Sequence, residues 1–375
     1  MDASSELIHS LLPIFLVGTL GANMLVLGLI EGSAEALAMF VKVFSGALSD
    51  YWGRRKPLAV LGYGLGAVAK PLFALAGSAD LIFGARLIDR IGKGIRGAPR
   101  DALVADLTPL QLRGAAFGLR QALDTVGAFL GPVLAVVLML AFANDFRTVF
   151  WFASIPAGLC VVLLVFGVKE PEKKATRSTS NPISKQQLRM LSKSYWTVVT
   201  LGALFTLARF SEAFLIMRAQ TGGLEAAWTP LVLVVMGVAY AAFAYPFGAL
   251  ADTWPHQRLL ALGLITLIAA DLLMAFHGQG FGLWAGVILW GLHMALTQGL
   301  FATMVAATAP ENMRGTAFGF FNLCSGATLL LASALAGALW HAVGPHATFL
   351  SGALIALLTL GAVWLSPTLT QPNAP

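Results

Sequence analysis

Apolar stretches of about twenty residues follow one another along the whole chain with no polar stripe between them, the length and pattern of helices that cross a bilayer. They lie at 6–20, 23–49, 57–76, 81–105, 115–140, 148–168, 195–217, 227–250, 258–276, 280–306, 315–340 and 347–366. Hydrophobic residues make up 58% of the chain and charged residues 11%, where a soluble domain carries about a quarter charged residues. Water is therefore not the solvent of most of this polypeptide, and an all-α membrane protein of twelve spans is expected.

The same composition excludes several function classes. A net charge of +6 is spread over short loops and spans, without a basic helix or an aromatic platform, so it sets topology and does not point to nucleic acid. Cys160 and Cys324 lie far apart in apolar stretches, as packing residues. The six histidines form no H-E-x-x-H pattern and no G-x-x-x-x-G-K-[ST] loop exists, so the sequence calls for no metal and no cofactor and gives no sign of direct ATP use. The N-terminal MDASSELIHS lacks the basic region and cleavage site of a signal peptide, which leaves span 1 as its own targeting signal.

Two strings recur along the chain. Arg113-Gly114-Ala115-Ala116-Phe117-Gly118 returns as Arg314-Gly315-Thr316-Ala317-Phe318-Gly319, and Gly46-Ala47-Leu48-Ser49-Asp50 as Gly248-Ala249-Leu250-Ala251-Asp252. The halves are thus copies about 201 residues apart. This predicts an N-terminal six-helix bundle over 1–168, a polar cytoplasmic linker over 169–194 and a C-terminal six-helix bundle over 195–375, related by a pseudo-two-fold axis. Basic residues concentrate in alternate loops, which places both termini in the cytoplasm of a bacterial inner-membrane protein. Ser211-Glu212 follows a long apolar run, whereas its counterpart Ser5-Glu6 follows four residues. Span 1 therefore reads as truncated, from a misplaced start or as a genuinely short helix.

After span 2, Gly46-Ala47-Leu48-Ser49-Asp50-Tyr51-Trp52-Gly53-Arg54-Arg55-Lys56 resembles the signature loop G-x-x-x-D-x-x-G-R-[RK] of the major facilitator superfamily. The resemblance implies a conformational lock, in which Asp50 caps span 11 near Arg314 and Gly315, where the helix dipole favours a carboxylate. It also implies that Arg54 pairs with acids at the inner end of span 4, Asp106 first and Asp101 next, with Gly46, Gly53 and Arg55 as further members of the lock. The second copy keeps Gly248 and Asp252 but loses the G-R-R, which predicts a weaker lock. Arg90-Ile91-Gly92-Lys93-Gly94 is similar to the fourth-helix R-x-x-Q-G pattern, with Lys93 in place of Gln. Gly118, Gly127, Gly131 and Pro132 reproduce the G-x8-G-x3-G-P core that in this superfamily goes with antiporters and drug exporters, although the usual closing G-G is Ala135-Val136 here. A helix thinned purely for close packing is the alternative reading of those glycines.

Ionised groups inside a bilayer are costly unless paired or facing water, which makes each one a candidate. Span 4 carries Asp89, Arg90, Lys93, Arg96, Arg100 and Asp101, with Asp89, Lys93, Arg96 and Arg100 on one stripe. Arg90, Lys93 and Arg96 are the expected lining of a central cavity for an anionic substrate, and an internal ladder through Asp89 and Lys93 is the structural alternative. Glu35 in span 2, Arg120 and Asp124 in span 5, and Arg209 and Glu212 in span 7 complete the set. Glu35, Asp89, Asp124 and Glu6 are the first proton-coupling candidates, with Glu212 after them. Lys70 and Asp271 occupy equivalent repeat positions with opposite charge, to which the sequence attaches no mechanism.

Together these features predict a secondary transporter working by alternating access, with a small-molecule solute, protons and the lipid bilayer as partners, acting as a monomer. Proton-driven efflux by antiport leads, followed by proton symport or uniport of an organic anion, and then by a non-transporting receptor. An integral-membrane enzyme finds no Ser/His, paired-acid or metal constellation to support it.

Overall fold

The computed structural model describes residues 1–52, 54–109, 112–170, 188, 190–251, 253–310 and 313–366, without the side chains at positions 47, 50, 113 and 114. Among the described residues the chain forms thirteen α-helices. They are α1 Asp2–Ile14, α2 Met24–Trp52, α3 Lys56–Leu75, α4 Ala79–Leu107, α5 Arg113–Ala141, α6 Phe146–Gly167, α7 Lys193–Ala208, α8 Ala213–Thr221, α9 Leu231–Ala251, α10 His256–Phe276, α11 Gly280–Thr308, α12 Arg314–Ala342 and α13 Pro345–Trp364.

These account for the twelve expected spans. The first is α1 continued by a π-turn at Phe15–Thr19, and the seventh is split into α7 and α8 at Arg209–Glu212. Among the described residues, ten helical segments are long and apolar enough to cross a membrane. Neither α1, at 13 residues, nor α4 is among them. α4 has the length, with 29 residues, and fails on its charges.

The chain divides into two compact units, Met1–Ala22 with Ser33–Pro182 and Ala226–Pro230, and Asn23–Gly32 with Ile183–Glu225 and Leu231–Pro375. The expected linker falls mostly outside the described residues. In the first unit α3 packs on α4 and α6, and α1 on α5 and α6. In the second, α10 packs on α11 and α13, and α7 on α12 and α13. One packing pattern is thus used twice. The repeat is visible in the helices themselves, since α4 and α11 are each 29 residues, as are α5 and α12.

Lipid offers helices no hydrophobic reason to associate, so close packing through small residues holds such a bundle together. A methyl group at Gly92 of α4 would lie 2.6 Å from the Gly62 carbonyl oxygen and 2.9 Å from the Gly66 nitrogen of α3. At Gly131 of α5 it would lie 2.7 Å from Glu6 Cβ and 2.8 Å from the Ala3 carbonyl of α1. Backbone meets backbone at both places. The outer faces are apolar, with Leu123, Ile155, Leu163, Phe166 and Leu358 exposed, a surface suited to acyl chains and not to water. At the end of α5 the chain turns through Asp145, which caps α6 by accepting from the Thr148 hydroxyl at 2.5 Å and from the Arg147 and Thr148 amides. The Thr148 hydroxyl bond is the main cause holding this loop carboxyl below the usual carboxylate range.

Gly92→Val should therefore overpack the α3–α4 contact and cost about 1–3 kcal/mol. Thermal unfolding of the detergent-purified protein should show a clear loss of Tm. Gly118→Ala, where nothing lies within 4 Å, should leave Tm unchanged or raise it.

Candidate functional site

The first unit is organised around α4. Ser78 caps its N-terminus through the Leu81 amide, and glycines thin two of its faces. Gly92 admits α3, and Gly94 admits α2, where a methyl would meet Val41 Cβ at 2.7 Å and the Ala38 carbonyl at 2.8 Å. With three helices this close, charged side chains on α4 reach partners on its neighbours.

Lys70 of α3 and Asp89 of α4 form the most deeply buried pair. The Lys70 ammonium donates to Asp89 Oδ1 at 2.7 Å and to Ser5 Oγ at 2.9 Å, with side-chain exposures of 1% and 3% for the pair. Arg90 lies 2.8 Å from Glu35 Oε1 of α2 and 3.6 Å from the other Asp89 oxygen. Arg86 donates to His9 Nδ1 of α1 at 2.7 Å. Arg96 reaches Asp2 at 3.4 Å and lies over the Tyr63 ring, 4.9 Å from its centroid. Further along, Arg100 and Arg120 share Asp101, at 3.1 and 2.9 Å, and Asp124, at 3.5 and 3.4 Å. The ladder from Asp89 to Lys93 does not form, because Asp89 turns toward Lys70 and Arg90. Instead, Arg90 and Arg96 are buried with partners, while Lys93 is exposed and makes no ion pair among the described residues.

At the signature loop the register differs from expectation by one residue. Arg55, not Arg54, pairs with Asp106, at 2.9 Å, and Arg54 is exposed. Asp101 is taken by Arg100 and Arg120. Gly46 packs against Ala98 of α4, with a methyl there 3.4 Å from its Cβ. The Asp50 side chain and Gly53 lie outside the described residues, and Arg314 is exposed at the first residue of α12. Sequence reasoning missed Glu170. Its two oxygens accept the Arg55 and Lys56 amides at 2.6 and 2.8 Å, capping the start of α3, while Lys56 Nζ donates to the Val165 carbonyl at 2.7 Å. The available signal was an acid just past span 6, but it stood in a stretch with linker composition.

The glycines of α5 divide. Gly127 and Gly131 face α1, beside Asp2 and Glu6, and Gly118 faces open space. Pro132 follows inside the helix. Glu6 makes no ion pair among the described residues. In the second unit Arg209 and Glu212 pair at 3.2 Å inside the break between α7 and α8. Three buried polar side chains there went unassigned by the sequence reading, Asp271 as a residue without a role and Trp290 and His293 altogether.

The Lys70–Asp89 pair gives a direct test. Lys70→Met leaves a buried carboxylate short of its main cation and should cost about 3–5 kcal/mol. Thermal unfolding of a Lys70→Met and Asp89→Leu double mutant should recover most of that loss.

Residues 1–229 and 213–375 both match the family model of the Major Facilitator Superfamily. An MFS-type transporter of Methanocaldococcus jannaschii is 33% identical over 366 residues, covering 96% of this chain and 90% of that protein. The multidrug resistance protein MdtH of Photorhabdus laumondii is 26% identical over 323 residues, covering 84% of this chain and 78% of its own length. Among solved structures, the nucleoside transporter NupG aligns with a TM-score of 0.81 at 14% identity, over 97% of this chain and 96% of that one, a likeness of fold. The buried charges, the duplicated packing and these matches agree: the chain belongs to the major facilitator superfamily and is a multi-pass membrane transporter, not an enzyme.

Proposed function

We propose that the protein works by alternating access in a bacterial inner membrane, as a monomer, exporting a small organic solute in exchange for protons. The observation that carries proton coupling is the Glu35–Arg90 pair. Glu35 is part-exposed while Arg90 is almost fully buried, at 27% and 2%, and they lie 2.8 Å apart. A carboxylate reachable by water and held by a buried cation has two states, paired or protonated, and exchange between them is what coupling needs. Asp124, shared by Arg100 and Arg120, offers the same choice nearer the end of the ladder. Outward direction is supported by the Gly118, Gly127, Gly131 and Pro132 pattern and by the resemblance to a multidrug resistance protein. The basic loops support cytoplasmic termini.

Lys93, exposed and without an ion pair, favours a solute that bears negative charge. The same pair of residues supports a second reading, symport of an organic anion. Protonating Glu35 releases Arg90 for an anionic group, so proton and anion would then bind together and travel together.

Everted vesicles with an acidified interior separate the two. An exporter working by antiport accumulates a probe from a panel of ethidium and carboxylated fluorescent dyes under that gradient, whereas a symporter accumulates dye only when the outside is acid. Glu35→Gln should abolish gradient-driven accumulation. Lys93→Ala should slow the anionic dyes roughly tenfold, the weight of one lost charge contact, and leave ethidium unaffected. Accumulation under neither gradient, for any probe, would refute proton-coupled transport of solutes of these two types.

A further inference from the structure

The second unit buries an acid that no ion pair accounts for. Asp271, in the C-terminal third of α10, is fully buried, and neither of its carboxyl oxygens has a hydrogen-bond partner among the described residues. Its repeat counterpart is Lys70, and the position matching Asp89, the partner of Lys70, is Trp290. Where the first unit places opposite charges together, the second places a lone acid and an indole. Trp290 Nε1 is likewise buried without a partner among the described residues, and His293 is fully buried beside it.

The acid sits at the break between α7 and α8. A methyl group at Gly352 of α13 would lie 2.6 Å from Asp271 Oδ2 and 3.1 Å from both the Ala208 carbonyl, at the end of α7, and the Phe210 ring. Phe210 in turn packs on Trp290, and Trp290 on His293, with centroids 5.5 and 5.2 Å apart. Other charged or titratable groups near these elements are engaged or distant. Arg218 of α8 reaches α10 but donates to the Met274 carbonyl at 2.7 Å. Arg209 is held by Glu212, His346 is exposed at the first turn of α13, and His256 and Arg258 lie at the opening turn of α10. His293 is the titratable side chain that α11 contributes.

An ionised carboxylate in such surroundings would have neither cation nor donor, and groups so placed are carried neutral. Irregular backbone at membrane depth occurs where it is buried in protein or meets water, and broken helices are where coupling ions are held. We propose that Asp271 is a proton-binding site of the second unit. It is buried as the neutral acid in the arrangement described here, and it passes its O–H proton to water, leaving the carboxylate, when the α7–α8 break opens. This rests on the proton-coupling reading and adds to Glu35 and Asp124 a site with no competing cation.

Infrared spectra of the purified protein in liposomes at neutral pH test the protonated state without any substrate. Wild type should show a protonated-carboxyl C=O band that shifts in D2O and is missing in Asp271→Asn. Spectra identical in that region, from folded proteins, would overturn the proposal. So would failure of both Asp271→Asn and Asp271→Leu to fold, since a neutral acid tolerates neutral replacements. In the vesicle assay Asp271→Asn should lose gradient-driven dye accumulation at least tenfold yet keep exchange of dye across the membrane, and full gradient-driven accumulation would refute its coupling role. If the carboxyl band is present but wild type moves dye indifferently to the gradient, the protonated state stands and the proton-coupling reading falls.

Discussion

The structure depends on how charge is carried through a medium that cannot solvate it. A helix with the charge of α4 is unstable against lipid alone, and it becomes a membrane element only because each buried cation meets an acceptor on a neighbour. Lys70 ties it to α3, Glu35 to α2, Asp2 to α1, and Asp124 to α5. The glycines serve the same end. Gly62, Gly92 and Gly94 bring backbones close enough for short side chains to bridge them, so packing and ion pairing are one constraint seen at two scales.

The second unit keeps the packing pattern and discards most of the charge. α11 has the length of α4, but His293 is its single titratable residue. Stability there comes from tilted and edge-on aromatic contacts around Phe210, Trp290 and Phe349 and from close contacts such as Gly263 against Thr297. A duplicated scaffold has thus acquired one ion-paired copy and one apolar copy with an isolated acid. This division follows from the membrane setting. The fully buried Lys70–Asp89 pair holds its charge state against changes around it, because each member stabilises the ionised form of the other. A lone buried acid has no such anchor, and its charge follows the access of water.

What the sequence made legible follows the range of the interaction. Spans, duplication and superfamily were readable because apolar length and repeated strings are local properties. The Arg120–Asp124 pair was readable because helical geometry fixes neighbours four residues apart, and Arg209–Glu212 because the two are close in sequence even where the helix breaks. Lys70–Asp89, Arg90–Glu35 and Arg55–Asp106 were not, since the choice of partner depends on the rotation of whole helices about their axes, which no local pattern records. The Arg54 expectation failed for that reason. Asp106 is met by Arg55, the residue immediately before α3, and adjacent residues on a chain point in different directions. Glu170 was hidden by composition, as a structural acid at the start of a stretch that otherwise reads as solvated.

The same logic explains why irregular backbone sits where it does. The first helix of each unit departs from regular α-helical bonding, α1 through the π-turn at Phe15–Thr19, where the Leu20 amide bonds back to the Phe15 carbonyl, and α7 through the break before α8. Each departure frees or lengthens backbone hydrogen bonds, which lipid would penalise and protein or water can satisfy. At the second break the Ser211 amide is met by the Ser333 hydroxyl, and the Arg209 amide by the Thr206 carbonyl. A helix already interrupted bends at lower cost than one whose ladder is whole. The charged pair Arg209–Glu212 and the acid Asp271 therefore lie at the place in the second unit where a change of shape most readily changes the access of water.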